Sequence, residues 1–533
     1  MKKIKIVATF FLLFFTFLTI FLYPLQAGVI RDSISGDLEF RAYYDQISGN
    51  EDLSFKTEGF NYLTDLYLYY QPSREETNGV QYRGMLYLQG TDDPQYQTRG
   101  DNWRLQNVYL TATRPEKWEM TGGYFSNRYT RYTMNSTLLG INGWFKPTEN
   151  FRMRLFSGRE HRARSSEQHA RYAGGVRAEV ERFDNHLLGF NYVRSKDHKS
   201  SLDDGELDGV SDTAANEVYS FDYTGSFFEK MLEVDGEVAM SEGDTDSSSS
   251  GGDYDNEKAR RIRIRLRPLD KTRLTGRYEK VDPGFETLQG FASTNRKRYE
   301  FGLSQDISNN WDLGVDYITW EDGLGDEIKT KEIKNWRTRT AYRNQSDFLG
   351  DQEWSLSFEK REDDESKETD ENIWEVGLDN RFSRKHRINI YYSYEEDDAD
   401  SDQLGLWRVG YNGRFEPYEF PVDYDFNTEY REDEDKTVSG LNTDRRIRVE
   451  NNLTLGRGRR ESLALFHHYQ KEKTAGLDDV FRTSYGAGYT YLFSRETGNS
   501  LSLLYEVNDI EDKEDPTRDY KEKSIELNTK VSF

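Results

Sequence analysis

Cysteine is absent from the 533 residues, which excludes a disulfide framework, thiolate metal sites, thiol catalysis and a lipid-modified N-terminal Cys. Proline is scarce, at 10 residues. After Tyr23 no stretch comes near the roughly 20 apolar residues that a spanning helix requires. A basic surface is lacking too: 72 Lys and Arg stand against 96 Asp and Glu, for a net charge of −24. Such a chain repels phosphates, so nucleic acid is excluded as a partner. Apolar residues make up only 35%, which alone would read as disorder, yet 14% of residues are aromatic and 36 are Tyr. Disordered chains are poor in aromatics. A chain that is polar on average, Tyr-rich and nearly free of proline suits paired strands. A transmembrane β-barrel meets every one of these conditions, because its polar interior and loops hide the apolar outer band from a whole-chain average.

Lys2, Lys3 and Lys5 precede an apolar or Thr-containing run from Ile6 to Tyr23, and Pro24-Leu25-Gln26-Ala27 offers a small residue for cleavage. Residues 1–27 are therefore expected to be a cleaved signal peptide and 28–533 the mature barrel. An uncleaved anchor helix is the alternative, since the run is long and Leu25 is not small.

Alternation of period two recurs from end to end. Ile34, Gly36, Leu38, Phe40 and Ala42 oppose Ser35, Asp37, Glu39 and Arg41; Leu232, Val234, Gly236, Val238 and Met240 oppose Glu233, Asp235 and Glu237. Ile262, Ile264 and Leu266 oppose Arg261, Arg263 and Arg265, and the last such segment is Ile525, Leu527, Thr529, Val531 and Phe533. A soluble sandwich alternates as well; the loops discriminate. Long connections at 45–59, 194–216, 241–258, 280–296, 428–443 and 508–522 alternate with tight ones at 113–117, 146–150, 267–271, 305–310 and 456–460. The expected fold is all-β: a large single antiparallel transmembrane β-barrel with short periplasmic turns, long extracellular loops and both ends periplasmic. One strand per alternating segment gives about 26 strands, within a range of about 22–28, and the total must be even. The alternation is least regular near Val108, Val218 and Leu404. Acidic runs at Glu362–Glu365, Glu395–Asp398 and Arg431–Asp435 fall in long loops, and Arg381–His386 is a basic short turn. Solvation of loop tips accounts for most of that segregation.

The chain closes on Phe533, after strands carrying Tyr491 and Tyr505. This resembles bacterial outer-membrane β-barrel proteins of the porin-like superfamily, whose last strand ends in an aromatic residue read by the barrel-assembly machinery. The resemblance implies the outer membrane of a Gram-negative bacterium as the location, with its lipid and that machinery as partners and Phe533 as the assembly signal. The first strand begins about seven residues after Ala27, so neither the plug of siderophore receptors nor the extra domains of pilus ushers are expected. Lipopolysaccharide-insertion barrels resemble the chain less, since they carry an N-terminal domain and cysteines. By size alone the chain resembles barrels that sheathe multihaem cytochromes in metal-reducing bacteria. No Cys-x-x-Cys-His is present, so no cofactor is expected in this chain and any haem would belong to a partner.

A barrel of this size is on the order of 40 Å across and would leak if left open. Either loops fold inward or a periplasmic protein fills the lumen. The inward candidates are Gly158–Gly175, with six charged residues and His161 and His169, and Ser126–Thr137. The latter carries Arg128, Tyr129, Arg131 and Tyr132, basic and aromatic where other loops are acidic, which suits a constriction; a capping loop packed on its neighbours is the equal alternative.

Arg261, Arg263, Arg265 and Arg267 form a stripe that could select anions along a pore wall. Glu233, Asp235 and Glu237 on the preceding strand allow a cross-strand charge ladder instead. Acid-then-base order recurs with Asp312 and Asp316 before Arg337 and Arg339, and with Asp423 and Asp425 before Arg446 and Arg448, which favours wall bracing; both roles are compatible. Asp244-Thr-Asp246 and Asp253-Tyr-Asp255 could offer oxygens to calcium but lack the spacing of a calcium loop, so a solvated loop is the simpler reading. No His-Glu-x-x-His or Gly-x-Ser-x-Gly occurs, and adjacent His467 and His468 face opposite sides of a strand. The expected function is non-enzymatic: passive passage of hydrophilic solutes, or alternatively a sheath holding a periplasmic electron-transfer protein. Limited proteolysis of intact cells is expected to cut within 241–258 and 360–371 and to spare 267–271; first cleavage in the short turns would invert the orientation.

Overall fold

The computed structural model describes residues 33–532, less 55, 73–78, 95–101, 161–169, 183–184, 199–213, 246–253, 325–330, 347–348, 366, 398–401, 418–419, 436–441, 458–459, 475–478, 495–496 and 514. Residues 1–27 and Phe533, the expected signal peptide and assembly signal, lie outside the described residues. The rest forms one antiparallel sheet of 26 strands in which each strand pairs with its chain neighbours. The first strand, β1 (Ile34–Gly49), pairs with the last, β26 (Tyr520–Ser532), from Asp37↔Ser532 to Gly49↔Tyr520, and so closes the cylinder. The three least regular segments are strands too: β4 (Trp103–Arg114), β10 (Ala214–Phe227) and β20 (Asp402–Phe415).

Period two becomes an inside and an outside. On β11 (Leu232–Thr245) and β12 (Tyr254–Leu269), Val238, Ile262 and Ile264 lie on the outer face, Ile264 with 42% of its surface exposed, whereas Glu237 on the inner face is 3% exposed. Exposed apolar residues and buried charges invert the order of a soluble protein, as a lipid-facing wall requires. Tilted aromatic pairs join hairpins on the outer face. Tyr317 and Trp336 join β15 (Trp311–Asp322) to β16 (Glu332–Ser346) with ring centroids 4.1 Å apart. Phe358 and Trp374 do the same at 4.2 Å between β17 (Gly350–Glu365) and β18 (Lys367–Ser383). Near the short-turn rim His186 Nδ1 lies 2.7 Å from the Tyr223 hydroxyl and His386 Nδ1 2.9 Å from that of Tyr411, amphipathic pairs suited to a membrane boundary.

The tight connections stand as expected: β12 ends at Leu269 and β13 (Thr272–Val281) begins three residues later. Several long ones are shorter than the sequence suggests. Residues expected as loop at 360–371 are ladder through Glu365↔Lys367, and β21 (Val422–Asp435) pairs with β22 (Asn442–Arg457) through Asp435↔Asn442. Above the hydrocarbon both faces of a hairpin are wet, so these acidic segments lack alternation although their pairing continues. Protection of 360–371, rather than cleavage, follows from that ladder.

Arg261, Arg263 and Arg265 share the inner face with Glu237. The opposite register would place them on lipid at about 2–4 kcal/mol each near the midplane, a sum comparable to the stability of an ordinary domain. Ile264→Arg puts one such charge on the lipid face. It should lower the folded fraction in vesicles, read as loss of the heat-modifiable band on gels, whereas Arg263→Ala should fold normally.

Candidate functional site

The inner wall is laced by ion pairs. Between β11 and β12 the register sets Glu233 opposite Arg265, Asp235 opposite Arg263 and Glu237 opposite Arg261. Two guanidinium groups lean along the strand to the neighbouring rung and two meet their own: Arg261 reaches Asp235 at 2.7 Å, where Arg263 approaches its direct partner at 3.8 Å, and Arg267 joins Arg265 on Glu233, at 3.3 and 3.1 Å. On β15 and β16, Asp316 stands opposite Arg337 but pairs with Arg339 at 3.4 Å. Asp312 pairs at 2.8 Å with Arg343, a residue the sequence reading did not single out. Arg337 turns to Glu359 and Glu375, each 3.7 Å away on β17 and β18.

The third expected ladder does not form. Asp423 and Asp425 stand opposite Thr454 and Asn452, while Arg446 and Arg448 stand opposite Arg431 and Glu429. Partners in a hairpin are equidistant from its tip. Arg446 and Arg448 lie near the tip, and the two aspartates lie near the far turn. Arg446 pairs with Glu429 at 2.9 Å, Arg448 with Glu450 of its own strand at 2.5 Å, and Asp423 meets Arg414 at 3.8 Å.

The connection between β5 (Trp118–Arg128) and β6 (Asn135–Thr148) folds into the lumen. Arg128 ends β5 and is exposed, but residues 129–134 cross to the inner faces of β11 and β13. The Tyr132 N–H donates to Glu237 at 3.4 Å, its hydroxyl donates to Glu279 at 2.8 Å, and Arg131 pairs with Glu279 at 3.1 Å. Burial, with Glu279 beside it, raises the Tyr132 hydroxyl well above the usual phenol range, so it remains a donor. Two apolar clusters hold the crossing. Tyr132 is buried with Val218, Ala239, Ala259, Val281 and Phe285; Tyr129 is buried with Phe125, Met134, Leu138 and Phe156. The two tyrosines therefore anchor the loop, and do not line the open lumen.

A second inward segment, 282–295, went unrecognised as such among the long loops. Phe285 meets the Tyr132 ring edge-on at 5.7 Å, Arg131 lies over Phe291 at 5.0 Å, and the Asn135 and Phe291 N–H groups donate across to Gln289 and Arg131 carbonyls at 2.7 Å. The one signal available was a Phe, a Leu and a second Phe in a connection where acidic residues are usual. Equally unforeseen is Arg177 on β8 (Ala170–Arg182), buried on the inner face and donating to Glu179, Asn191 and Asp222 at 2.6–2.7 Å. Of the other inward candidate, 161–169 with both histidines lies outside the described residues, as do Asp246 and Asp253. Among the described residues no group of three or more His, Asp or Glu could hold a metal ion. His467 and His468 sit at adjacent rungs of one strand, and His468 meets Asn452 at 3.2 Å.

Among the described residues the lumen is obstructed in two places, for besides the two crossing loops Lys56 reaches inward to Asp45 and Glu522 of β1 and β26. The crossing loops lie against β5–β13, whereas the inner faces of β15–β18 enclose an open cleft of about 600 Å³ lined by Asp312, Arg337, Arg339, Arg343 and Glu375.

Comparison with known proteins gives the following. Among solved structures the chain is similar to the siderophore receptor PirA from Acinetobacter baumannii, at 12% identity over 95% of this chain and 81% of that one, with a TM-score of 0.44. It is similar to the outer membrane protein OprD from Pseudomonas aeruginosa, at 12% identity over 70% of this chain and 95% of that one, TM-score 0.35. A third likeness is to the P pilus usher PapC translocation pore, at 11% identity over 93% and 99%, TM-score 0.34. No curated protein matches in sequence. The family model described as S-layer protein SlpA, beta-barrel domain, matches residues 124–429, more than half of the chain and both inward loops. The chain therefore belongs to the family of the S-layer protein SlpA beta-barrel domain.

Proposed function

We propose that this protein is a non-enzymatic outer-membrane channel through which small hydrophilic solutes diffuse, narrowed by its own loops. The observation that carries this reading is a lumen filled only in part: apolar clusters and two crossing segments lie beside β5–β13, Lys56 reaches in beside β1 and β26, and a charged, water-accessible cleft remains beside β15–β18. Lipid-facing isoleucines, aromatic pairs on the outer face and alternating connections support an outer-membrane location, reached by a cleaved signal peptide and the barrel-assembly machinery. A lumen partly occupied from within leaves less room for a periplasmic electron-transfer partner, which favours the channel over the sheath. The family match supports a compatible second reading, that the barrel is the membrane-seated part of a surface-layer protein.

Conductance across a planar bilayer tests the proposal directly. The purified barrel should pass ions in stable steps, and a folded barrel that passes none would overturn it. Tyr132→Ala removes the aromatic ring that both pins the crossing loop and fills its cluster, at a cost of about 3–5 kcal/mol for a buried aromatic. It should raise the single-channel conductance and its noise while the barrel itself stays folded.

Arg263 is the least tightly paired rung of its ladder, at 3.8 Å from Asp235. Arg263→Ala should therefore shift the reversal potential in a salt gradient toward cation preference. An unchanged potential would leave the stripe a wall brace only.

A further inference from the structure

Bracing of the lumen does not account for a row of cations on the outer face. On β12 the outward apolar run Leu266, Ile264 and Ile262 gives way to Arg260 and Lys258 toward the long connection. On β13 Lys280 follows Tyr278, and on β14 (Arg296–Asp306) Lys297 precedes Tyr299, again on the long-connection side. The register sets Arg260 directly opposite Lys280, and Lys280 directly opposite Lys297. Like charges on facing rungs destabilise a sheet. Lys280 has Asp282 at 3.1 Å and Lys297 has Glu321 at 3.5 Å. Arg260 and Lys258, both exposed, have no ion pair among the described residues.

Just below the row, Tyr278 and Tyr299 lie with ring centroids 5.2 Å apart, the amphipathic side chains of a membrane boundary. The cations therefore stand at headgroup level. Below Arg260 the outer face is furrowed. Gly236 stands between Tyr223 and Ile262 on facing rungs and leaves a gap in the apolar surface. The furrow is an open groove of about 670 Å³ lined by Leu188, Phe190, Phe221, Val238 and Ile262 and bordered by Arg260. A Cβ on Gly236 would meet only the Arg261 carbonyl oxygen, at an ordinary 3.5 Å, so backbone packing does not demand glycine there.

We infer that the outer face of β10–β14 binds a membrane lipid with a phosphate monoester headgroup. Arg260 and Lys280 hold the phosphate, which a guanidinium meets with two parallel N–H donors, and Lys258 and Lys297 flank it. An acyl chain lies in the furrow over Gly236. The bound anion turns repulsion between facing rungs into cohesion of β12–β14. This rests on the barrel being seated in a bilayer, and conductance reports that seating independently of the site.

The test is native mass spectrometry of the full-length protein, delipidated in detergent, with dioleoyl phosphatidic acid, dioleoyl phosphatidylcholine or inorganic phosphate added. One phosphatidic acid per barrel should be retained in preference to phosphatidylcholine, and inorganic phosphate should not displace it. Arg260→Gln combined with Lys280→Gln should weaken retention about tenfold, the equivalent of one hydrogen bond to a charged group. Gly236→Leu fills the furrow with a side chain that lipid accepts, and should weaken retention as well. Lys334→Gln, on the outer face of β16 where Glu332 pairs with Lys334 at 3.3 Å, should leave retention unchanged. All these variants should keep the heat-modifiable band. Equal retention of the two lipids would overturn the site, as would retention that the double variant or Gly236→Leu leaves unchanged. Displacement by inorganic phosphate would overturn the lipid as ligand. Selective retention by a barrel that passes no ions would support the site and overturn only the channel.

Discussion

Everything in this molecule depends on the need to satisfy backbone hydrogen bonds where no water is available. A strand in hydrocarbon must have a partner on each side, and the only arrangement of strands without edges is a closed one. The β1–β26 ladder supplies that closure between residues nearly 500 positions apart in sequence. Once the cylinder is shut, the two faces of every strand acquire fixed solvents, and the chain's low apolar content ceases to be a paradox: half of each strand's side chains face a wet interior.

The interior follows from the same division. Charges that cannot face lipid accumulate on the inner wall, and acidic and basic faces of successive strands brace one another. In the wet, partly exposed lumen each such pair contributes modestly, so their combined value is to hold a wide cylinder in shape and to set its local field. Higher on the same faces the side chains become small: Ala239, Ala259 and Ser241 continue the lines of Glu237 and Arg261. Small residues there admit Tyr132 and Phe285, and Glu237 and Glu279 at the edge of the patch receive the loop's polar groups. Ladder and crossing loop are two levels of one wall.

Particular residues show how far sequence reading reaches. The Glu233–Arg265 ladder was legible because three acids and three arginines at spacing two can satisfy one another in one register, and lipid forbids the alternative face. The same logic misplaced Asp423 and Asp425, since spacing fixes which face a residue takes but not which rung it occupies. Acidic hairpin ends such as Glu362–Glu365 read as loops because both of their faces are wet, yet they are paired. Arg128–Tyr132 was recognised as unusual for its composition, the apolar residues Phe285, Leu288 and Phe291 were a signal passed over, and Arg177 and Arg343 carried no local pattern that distinguished them.

Local chemistry alone determined the strands, their lipid and lumen faces, the even strand number, the alternation of short and long connections and the exclusion of thiol chemistry. Each of these is a property of neighbouring residues and of the solvent they require. The tertiary structure decided the rest: which strands register at which rung, that 129–134 and 282–295 meet across the interior, that the open cleft lies farther round the wall along β15–β18, and that β4 and β5 part above Gly123. These are relations between residues far apart in the chain, brought together only when the ring closes, and nothing in a segment's own periodicity encodes its distance from a segment on the other side of the lumen.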